Sequence, residues 1–297
     1  MNSNFSTNIG IFFLKIIAKF PFWFIYFLSD CFYLIVYYIV GYRKNVVFQN
    51  LKNSFPEKSD NELKEISKKF FHHFSDITME TIKAISMKEK DFRERYIVKD
   101  IDKINKYYEQ GKSVVVLTMH YNNWEWGSCF PLFNKHTGLA VYKPLHNAQF
   151  DSFMNKTRSV FGAELTPNSN VLRRVLMAKK QNEPVSIWLA GDQTPPVFHD
   201  FWITFLNQEA MFYPGPAFIS KKFNYPVFFQ NTVKTTRGKY EVSFDLLFEN
   251  PKEFSEVEII KFYIQKMEDV IRKKPEFYLW SHKRWKHKRP VDIELQD

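Results

Sequence analysis

Residues 113–127 read Ser-Val-Val-Val-Leu-Thr-Met-His-Tyr-Asn-Asn-Trp-Glu-Trp-Gly. The first six of these residues form a β-branched run of the kind that makes a short buried strand. His120 follows this strand directly, and Glu125 lies five residues beyond His120. The segment therefore predicts a strand that ends in a histidine and a nearby carboxylate.

Short strands alternate with helices on the carboxyl side of this segment. Strands are predicted at 139–142, near 165, at 184–189, 226–235 and 239–247, with a hairpin at 201–211, and helices at 148–161, 170–181 and 255–273. Before the segment, residues 43–100 have the pattern of helices, and Ser59 provides the cap of one of them. Such alternation indicates an α/β fold, and we expect a mixed central sheet flanked by helices.

The amino-terminal part is almost continuously apolar from residue 11 to residue 42. Its longest run, 20–42, has 23 residues, and about 20 suffice to cross a bilayer. Asp30 lies in the middle of that run, where a charge is costly for a spanning helix. We therefore predict a membrane anchor at 1–42 and a catalytic domain at 43–297, and a helix lying in the membrane plane remains the alternative to a spanning one.

Charge and cysteine content limit the classes of function. The net charge of +10 favours anionic partners, namely nucleic acid, anionic lipid or acidic carrier proteins. The two cysteines, Cys31 and Cys129, form no disulfide framework and no metal-binding motif. His72 and Asp76 are four residues apart, but a metal site needs further ligands. We expect neither a metal nor a cofactor.

The five-residue spacing of His120 and Glu125 restricts the local geometry. On a continuous helix, five residues correspond to about 500°, so the two side chains would point in different directions. They meet only if His120 lies in a turn and the helix begins near Asn122 or Asn123. The carboxylate then accepts a hydrogen bond from one imidazole nitrogen, and the other nitrogen serves as a general base. A capping box that places Glu125 in the first helical turn is the alternative without catalysis.

Several motifs in a fixed order accompany this segment. They are Arg43-Lys-Asn-Val46, Asn50-Leu-Lys-Asn-Ser-Phe-Pro56, Val141-Tyr-Lys-Pro-Leu-His-Asn147 with Arg158 and Gly162, Ala190-Gly-Asp-Gln193, Pro214-Gly-Pro-Ala217 with Asn224-Tyr-Pro-Val227, and Trp280-Ser-His-Lys-Arg-Trp-Lys286. The central segment resembles the His-x4-Asp/Glu motif of the glycerolipid acyltransferase superfamily. From about residue 42 to residue 290, the chain is similar to the late acyltransferases of lipid A biosynthesis.

This resemblance implies an activity and a set of site residues. His120 would be the base and Glu125 its partner, and no covalent acyl-enzyme would form. The acyl chain would pass from an acyl carrier protein, or from acyl-CoA, to a hydroxyl of a lipid A precursor at the cytoplasmic face of the inner membrane. Residues expected to bind substrate are Asn123, Lys143, Asn147, Arg158, Asp192 and Gln193. Lys143 and Arg158 would hold phosphate, whereas Asp192 and Gln193 would orient the acceptor or a neighbouring loop, or simply form a polar turn.

The basic, aromatic stretch 280–289 supports rival interpretations. It is typical of a lipid-headgroup contact, of a solvated charged tail, or of a nucleic-acid-binding segment. We expect no nucleic acid, because no known nucleic-acid-binding module is present and the apolar amino terminus favours lipid. An amino-acid lipid, a glycolipid or a lysophospholipid would require the same chemistry as a lipid A precursor, and a non-catalytic lipid-binding protein is a further alternative.

Overall fold

A seven-stranded mixed sheet forms the centre of the computed structural model, which describes residues 2–195 and 198–296. Its strands are β1 (Tyr96–Val98), β2 (Val114–Thr118), β3 (Thr137–Tyr142), β4 (Glu164–Pro167), β5 (Val185–Ala190), β8 (Val227–Thr236) and β9 (Lys239–Phe248). The order across the sheet is β1-β9-β8-β2-β5-β3-β4. All neighbouring pairs are parallel except β8 and β9, which form an antiparallel hairpin. The predicted mixed sheet is confirmed.

A second, two-stranded sheet consists of β6 (Trp202–Phe205) and β7 (Gln208–Met211). The turn between these strands contains no glycine, and both Leu206 and Asn207 adopt a positive φ, of 49° and 62°. These are the dihedral signs that a two-residue hairpin turn requires. This hairpin corresponds to the one predicted at 201–211.

Ten α-helices surround the sheet within the described residues. They are α1 (Asn2–Ala18), α2 (Phe22–Leu34), α3 (Lys44–Ser54), α4 (Asp60–Ala84), α5 (Glu89–Arg95), α6 (Asp102–Glu109), α7 (Ala148–Arg158), α8 (Val171–Lys180), α9 (Gly215–Phe223) and α10 (Glu256–Lys273). A π-helical segment, Ile35–Val40, continues α2, and 3₁₀ helices occupy Glu125–Leu132, Pro251–Glu253 and Pro275–Phe277. Ser59 caps α4 in a capping box with Glu62, as its sequence predicts.

The two faces of the sheet bury separate clusters of side chains. Val115 and Leu117 of β2 face α8, α9 and α10. Val114 and Val116 face the other way, toward α6 and Trp126 of the 3₁₀ helix. Strand β2 lies between β8 and β5 and is covered on both sides, which explains its unbroken apolar sequence. His120 is thereby held just beyond the end of a fully buried strand.

The apolar amino-terminal segment packs on α4. Among the described residues, Phe22–Val40 is long and apolar enough to cross a membrane. Asp30, in its middle, forms an ion pair with Arg237, which lies in the turn between β8 and β9, at 2.6 Å. The carboxylate that was expected to be costly therefore has a partner.

The loop after β2 differs from the expected helix start. Asn122 adopts a positive φ of 53°, and the helical segment that follows is a 3₁₀ helix beginning at Glu125. The side chain of Asn123 accepts a hydrogen bond from the backbone N–H of Trp126 at 3.0 Å. Asn123 thus accepts a hydrogen bond inside this turn, but Trp124 is the residue that precedes the 3₁₀ helix, and the carboxylate of Glu125 pairs with Arg158.

Candidate active site

The imidazole of His120 lies against the carboxylate of Asp192. Strands β2 and β5 are parallel neighbours whose register pairs Thr118 with Ala190. His120 and Asp192 each follow their strand by two residues, so the sheet brings them to the same level at its carboxyl edge. The Nδ1 atom of His120 is 2.8 Å from Oδ1 of Asp192. This edge of a parallel sheet is where ligands bind in open α/β folds.

A second hydrogen bond fixes this pair. The backbone N–H of His120 donates to Oδ2 of Asp192 at 3.1 Å, so each carboxylate oxygen accepts one bond from the same residue. An ionised carboxylate only accepts hydrogen bonds, and Nδ1 must therefore carry the proton. Nε2 is left as the unprotonated nitrogen of the neutral ring. The His120 side chain is 21% exposed and Asp192 is 1% exposed, which leaves the imidazole open to a reactant.

The surroundings strengthen His120 as a base. Burial alone would lower its pKa, but the negative charge and hydrogen bond of Asp192, and then the charge of Glu125, raise the pKa above its ordinary value. Burial would likewise raise the pKa of Asp192, yet the adjacent imidazole and its hydrogen bonds hold that pKa below the ordinary value. These opposite shifts favour an ionised Asp192 beside His120.

Glu125 forms an ion pair with Arg158 in place of the expected bond to the imidazole. Nε of Arg158 donates to Oε2 of Glu125 at 3.0 Å, and Nη2 donates to Oε1 at 2.7 Å. Arg158 is the last residue of α7, so this fork joins α7 to the 3₁₀ helix. The expectation that Glu125 orients the imidazole is wrong for this conformation, because Asp192 already occupies that side of the ring. Glu125 acts on His120 through its charge.

Hydrogen bonds to buried polar groups hold the loop that carries His120. Asn122 donates from Nδ2 to the carbonyl of Thr232 at 2.7 Å. Asn123, which is fully buried, donates to Oε2 of Glu80 at 2.7 Å. Tyr240 donates to the same oxygen of Glu80 at 2.8 Å. The side chain of Asn123, which was expected to bind substrate, is therefore engaged within the protein and supports the loop.

Two tyrosines hold the loop that carries Asp192. The backbone N–H of Gly191 donates to the Tyr263 hydroxyl at 3.1 Å, and this hydroxyl donates to the carbonyl of Thr118. A Cβ on residue 191 would lie 3.0 Å from Cε1 of Tyr263, so the close approach favours glycine. The Tyr278 hydroxyl donates to the carbonyl of Asp192 at 3.4 Å. No motif in the sequence indicates this role for the two tyrosines, which lie 71 and 86 residues after Asp192 in the chain.

The stretch 280–289 closes one side of the site. The backbone N–H of Leu279 donates to the carbonyl of His120 at 3.1 Å, and Nε2 of His282 accepts the N–H of Thr194 at 3.2 Å. Arg284 is only 2% exposed and lies over the ring of Phe212, 4.2 Å from its centroid. Trp280, Ser281 and Arg284 are buried and belong to the core, so a solvated tail is a wrong description of these three residues. Lys283, Lys286 and Lys288 are exposed.

The remaining predicted residues lie at the rim. Lys143 is exposed in the loop between β3 and α7. Asn147 caps α7 by accepting the N–H groups of Gln149 and Phe150, and its Nδ2 donates to Thr7 of α1 at 3.0 Å. Gln193 is half-buried beside Asp192. In the part of the chain that the structure describes, no group of three His, Cys, Asp or Glu side chains is arranged to hold a metal ion.

Comparisons with known proteins show the family of this chain. A family model described as bacterial lipid A biosynthesis acyltransferase matches residues 1–287. The chain is similar to lipid A biosynthesis palmitoleoyltransferase of Escherichia coli (strain K12), at 24% identity over 258 residues, which cover 84% of this chain and 80% of the relative. Lipid A biosynthesis acyltransferase of Shigella flexneri has the same identity and coverage. The chain therefore belongs to the bacterial lipid A biosynthesis acyltransferase family.

Proposed function

We propose that this acyltransferase moves a fatty acyl chain from an acyl carrier protein thioester to a hydroxyl of a lipid A precursor. The observation that carries the proposal is the His120–Asp192 pair, because two hydrogen bonds force the proton onto Nδ1 and leave Nε2 as a base. The family match supports the reaction class and a lipid A acceptor.

In the proposed reaction, Nε2 of His120 takes the proton of the acceptor hydroxyl as its oxygen attacks the thioester carbonyl carbon. A carbon–oxygen bond forms, and the carbonyl electrons move onto its oxygen. When the tetrahedral intermediate collapses, the carbon–sulfur bond breaks and the imidazolium returns the proton to the thiolate. The products are an ester and a free thiol, with no net change in protons. General-base assistance of this kind accelerates such steps by about 10² to 10⁴.

The other site residues have distinct proposed roles. Asp192 and Glu125 stabilise the imidazolium, Asp192 through a hydrogen bond and Glu125 through its charge. Arg158 donates to Glu125 from two nitrogens, so its main proposed role is to position the Glu125 carboxylate. Lys143 is exposed and is proposed to contact acceptor phosphate.

Two asparagines and a glutamine complete the proposed set. Gln193 is proposed to contact the acceptor beside Asp192. Asn147 is proposed to contact substrate at the rim, where it also caps α7. Asn123 contributes by supporting the loop, since Glu80 and the Trp126 N–H occupy its side chain.

The proposed donor is supported by a basic and apolar face on α8 and α9, which we call the α8–α9 face. It exposes Leu176, Met177 and Phe218 together with Arg173, Lys179, Lys180 and Lys222. The Nζ atoms of Lys179 and Lys222 lie 5.2 and 6.0 Å from the ring centroid of Phe223, so the two helices present one continuous surface. Such a face complements a small acidic protein. A coenzyme A donor would not need such a protein-binding face.

We propose the cytoplasmic side of the inner membrane as the location. The apolar segment Phe22–Val40 supports association with a membrane. A thioester carried by a soluble intracellular protein is available on the cytoplasmic side.

The function is tested with detergent-solubilised enzyme, a lipid A precursor and either acyl carrier protein or coenzyme A as acyl donor. We expect transfer by the wild type and loss of at least 10²-fold in kcat for His120→Ala. His287→Ala, which changes an exposed histidine, is the matched control. Equal rates for wild type and His120→Ala would contradict the mechanism. Mass spectrometry of lipids from a deletion strain identifies the acceptor, because the product lipid lacks one acyl chain there.

The donor is tested by charge reversal on the α8–α9 face. Arg173→Glu/Lys180→Glu should raise KM for the acyl carrier protein by at least tenfold and leave KM for acyl-CoA unchanged. Lys106→Glu/Lys112→Glu makes the same change in net charge on and just after α6 and serves as control. A KM for acyl carrier protein equal to that of the wild type would refute docking on this face.

A further inference from the structure

The segment Phe22–Val40 has two unlike long faces. With 19 residues, its length suffices for a bilayer core of about 30 Å at 1.5 Å per residue. Trp23 and Phe27 near its start, and Tyr38 and Ile39 near its end, are more than half exposed. Length and apolar character alone would therefore permit a spanning helix.

The opposite face makes polar contacts with α4. The Tyr26 hydroxyl donates to Oε1 of Glu80 at 2.8 Å, and the Ser29 hydroxyl donates to Oδ1 of Asp76 at 2.8 Å. Asp30 lies 3.1 Å from Nε2 of His72. Residue numbers rise along the apolar segment from Tyr26 to Asp30, whereas those of their partners on α4 fall from Glu80 to His72. The two helices are therefore antiparallel neighbours over this length.

The turn before this segment is attached to the same helix. Nζ of Lys83, near the end of α4, donates to the carbonyls of Ala18 and Phe20 at 2.9 and 2.8 Å. Near the other end of the segment, the Tyr37 ring packs against Phe71, with 5.4 Å between centroids. Contacts with α4 thus extend from the α1–α2 turn almost to Val40.

A half-buried arginine joins these helices to the sheet. Nη2 of Arg237, in the β8–β9 turn, donates to Asp30 at 2.6 Å and also to Asp76 at 2.6 Å. In the same turn, a Cβ on Gly238 would overlap the Tyr26 hydroxyl, so the backbone of the hairpin touches the helix. The middle of the apolar segment therefore lies at the level of the sheet.

A spanning orientation conflicts with this packing. If Phe22–Val40 crossed the bilayer, α4 and the β8–β9 turn would have to enter the hydrocarbon with it. Helix α4 carries nine charged Lys, Asp and Glu side chains. A β-turn would also expose backbone groups that hydrocarbon cannot satisfy. Neither is compatible with a lipid environment.

We infer that α1 and Phe22–Val40 lie in the plane of the membrane and do not cross it. Their outer faces enter the boundary between headgroups and acyl chains, as the exposed Phe12 and Phe13 of α1 and Trp23 and Phe27 of α2 allow. Lys15 and Lys19 flank this apolar surface and favour anionic lipid. The inference rests on the proposed membrane association and does not depend on the proposed chemistry.

This orientation explains how a lipid reaches the site. The amino-terminal part of α1 contacts the start of α7 through Thr7 and Asn147 at 3.0 Å. The last residue of α7, Arg158, holds Glu125. A membrane surface at α1 therefore lies next to the start of α7, whose other end contacts Glu125. A lipid acceptor could then reach the site from the bilayer along α7.

The test is the side of the membrane on which each terminus lies. A Gly-Ser-Cys-Gly-Ser extension is added either before Met1 or after Asp297, in a Cys31→Ser background, where Cys129 is fully buried. Inverted and right-side-out inner-membrane vesicles are then treated with a membrane-impermeant maleimide. Detergent-opened vesicles give the total reactivity of each extension.

An in-plane amino terminus predicts that both extensions react from the same side. Labelling of the two extensions from opposite sides would overturn the inference. His120→Ala should give the same pattern as the wild type, because labelling does not depend on turnover. A failure of the proposed chemistry would therefore leave this result unchanged, and the two failures are distinguishable.

Discussion

Replacing Asp192 by asparagine should disable His120 while preserving its surroundings. The carboxylate accepts two hydrogen bonds from His120, one from the backbone N–H at 3.1 Å and one from Nδ1 at 2.8 Å. An asparagine has one oxygen and one NH₂ group. Because the backbone N–H is a fixed donor, the oxygen of Asn must face it, and the NH₂ group then faces Nδ1. The ring proton is thereby forced onto Nε2, which can no longer accept a proton from the acceptor hydroxyl.

The expected loss follows from this change of tautomer. Disabling a general base or reversing its tautomer lowers kcat by about 10² to 10⁴, which corresponds to ~3–5 kcal/mol in activation free energy. The pKa of His120 should also fall, because the negative charge that raises it is removed. A base works in its neutral form, so the acid limb of the residual rate should move to lower pH.

The assay measures kcat for acyl transfer from pH 5 to pH 9 with saturating donor and acceptor. Glu125→Gln is the matched control, because it removes the other carboxylate and leaves both Asp192–His120 hydrogen bonds in place. Its acid limb should move less than that of Asp192→Asn. An unchanged kcat and pH profile for Asp192→Asn, with the whole loss in Glu125→Gln, would refute the reasoning. Glu125 would then be the partner of the imidazole in the working enzyme.

Three further substitutions test the groups around the site. Burial raises the pKa of Glu80 to about 7, although hydrogen bonds from Tyr240 and Tyr26 lower it. The free energy of unfolding should therefore decrease by ~3 kcal/mol as the pH rises from about 4.5 through 7. Glu80→Gln should not show this decrease. Thermal unfolding at pH 5 and pH 8 measures it, and an equal change in Tm between the two pH values for wild type and variant would contradict the prediction. Gly191→Ala should lower the free energy of unfolding by ~1–3 kcal/mol and kcat by about tenfold, because its Cβ would press on the ring of Tyr263. A Tm and a kcat equal to those of the wild type would exclude this strain. The three guanidinium nitrogens of Arg284 have no hydrogen-bond partner among the described residues, so Arg284→Met should leave the free energy of unfolding unchanged or raise it by about 1 kcal/mol or more. A marked fall in Tm would show that the contact of the guanidinium with the Phe212 ring outweighs the cost of burying its charge.

Local sequence pattern was sufficient for much of the fold. Strand β2 and the position of His120 after it follow from the β-branched run at 113–118, and β5 with Asp192 after it follows from the run at 184–189. The pattern does not specify that β2 and β5 are adjacent, because β3 and β4 lie between them in the chain. Strand order depends on long-range packing, so Asp192 was expected to face the acceptor and was not connected with His120.

The pairing of Glu125 could not be predicted for a different reason. Spacing alone could not distinguish an α-helical start from the 3₁₀ turn that begins at Glu125. Nor could it indicate that Arg158, 33 residues later, reaches that carboxylate. The support from Tyr263 and Tyr278 is equally hidden, since aromatic residues in apolar stretches ordinarily indicate core packing.

Glu80 connects the proposed membrane surface with the catalytic loop. Its Oε1 accepts from Tyr26 of α2, and its Oε2 accepts from Asn123, three residues after His120. The boundary placed at residue 42 from composition is therefore not a boundary in packing, because removal of α2 would leave this buried carboxyl without one of its donors. Docking of α2 and the position of His120 share one rigid support. The proposed membrane attachment and the geometry of the candidate site therefore depend on the same buried contacts.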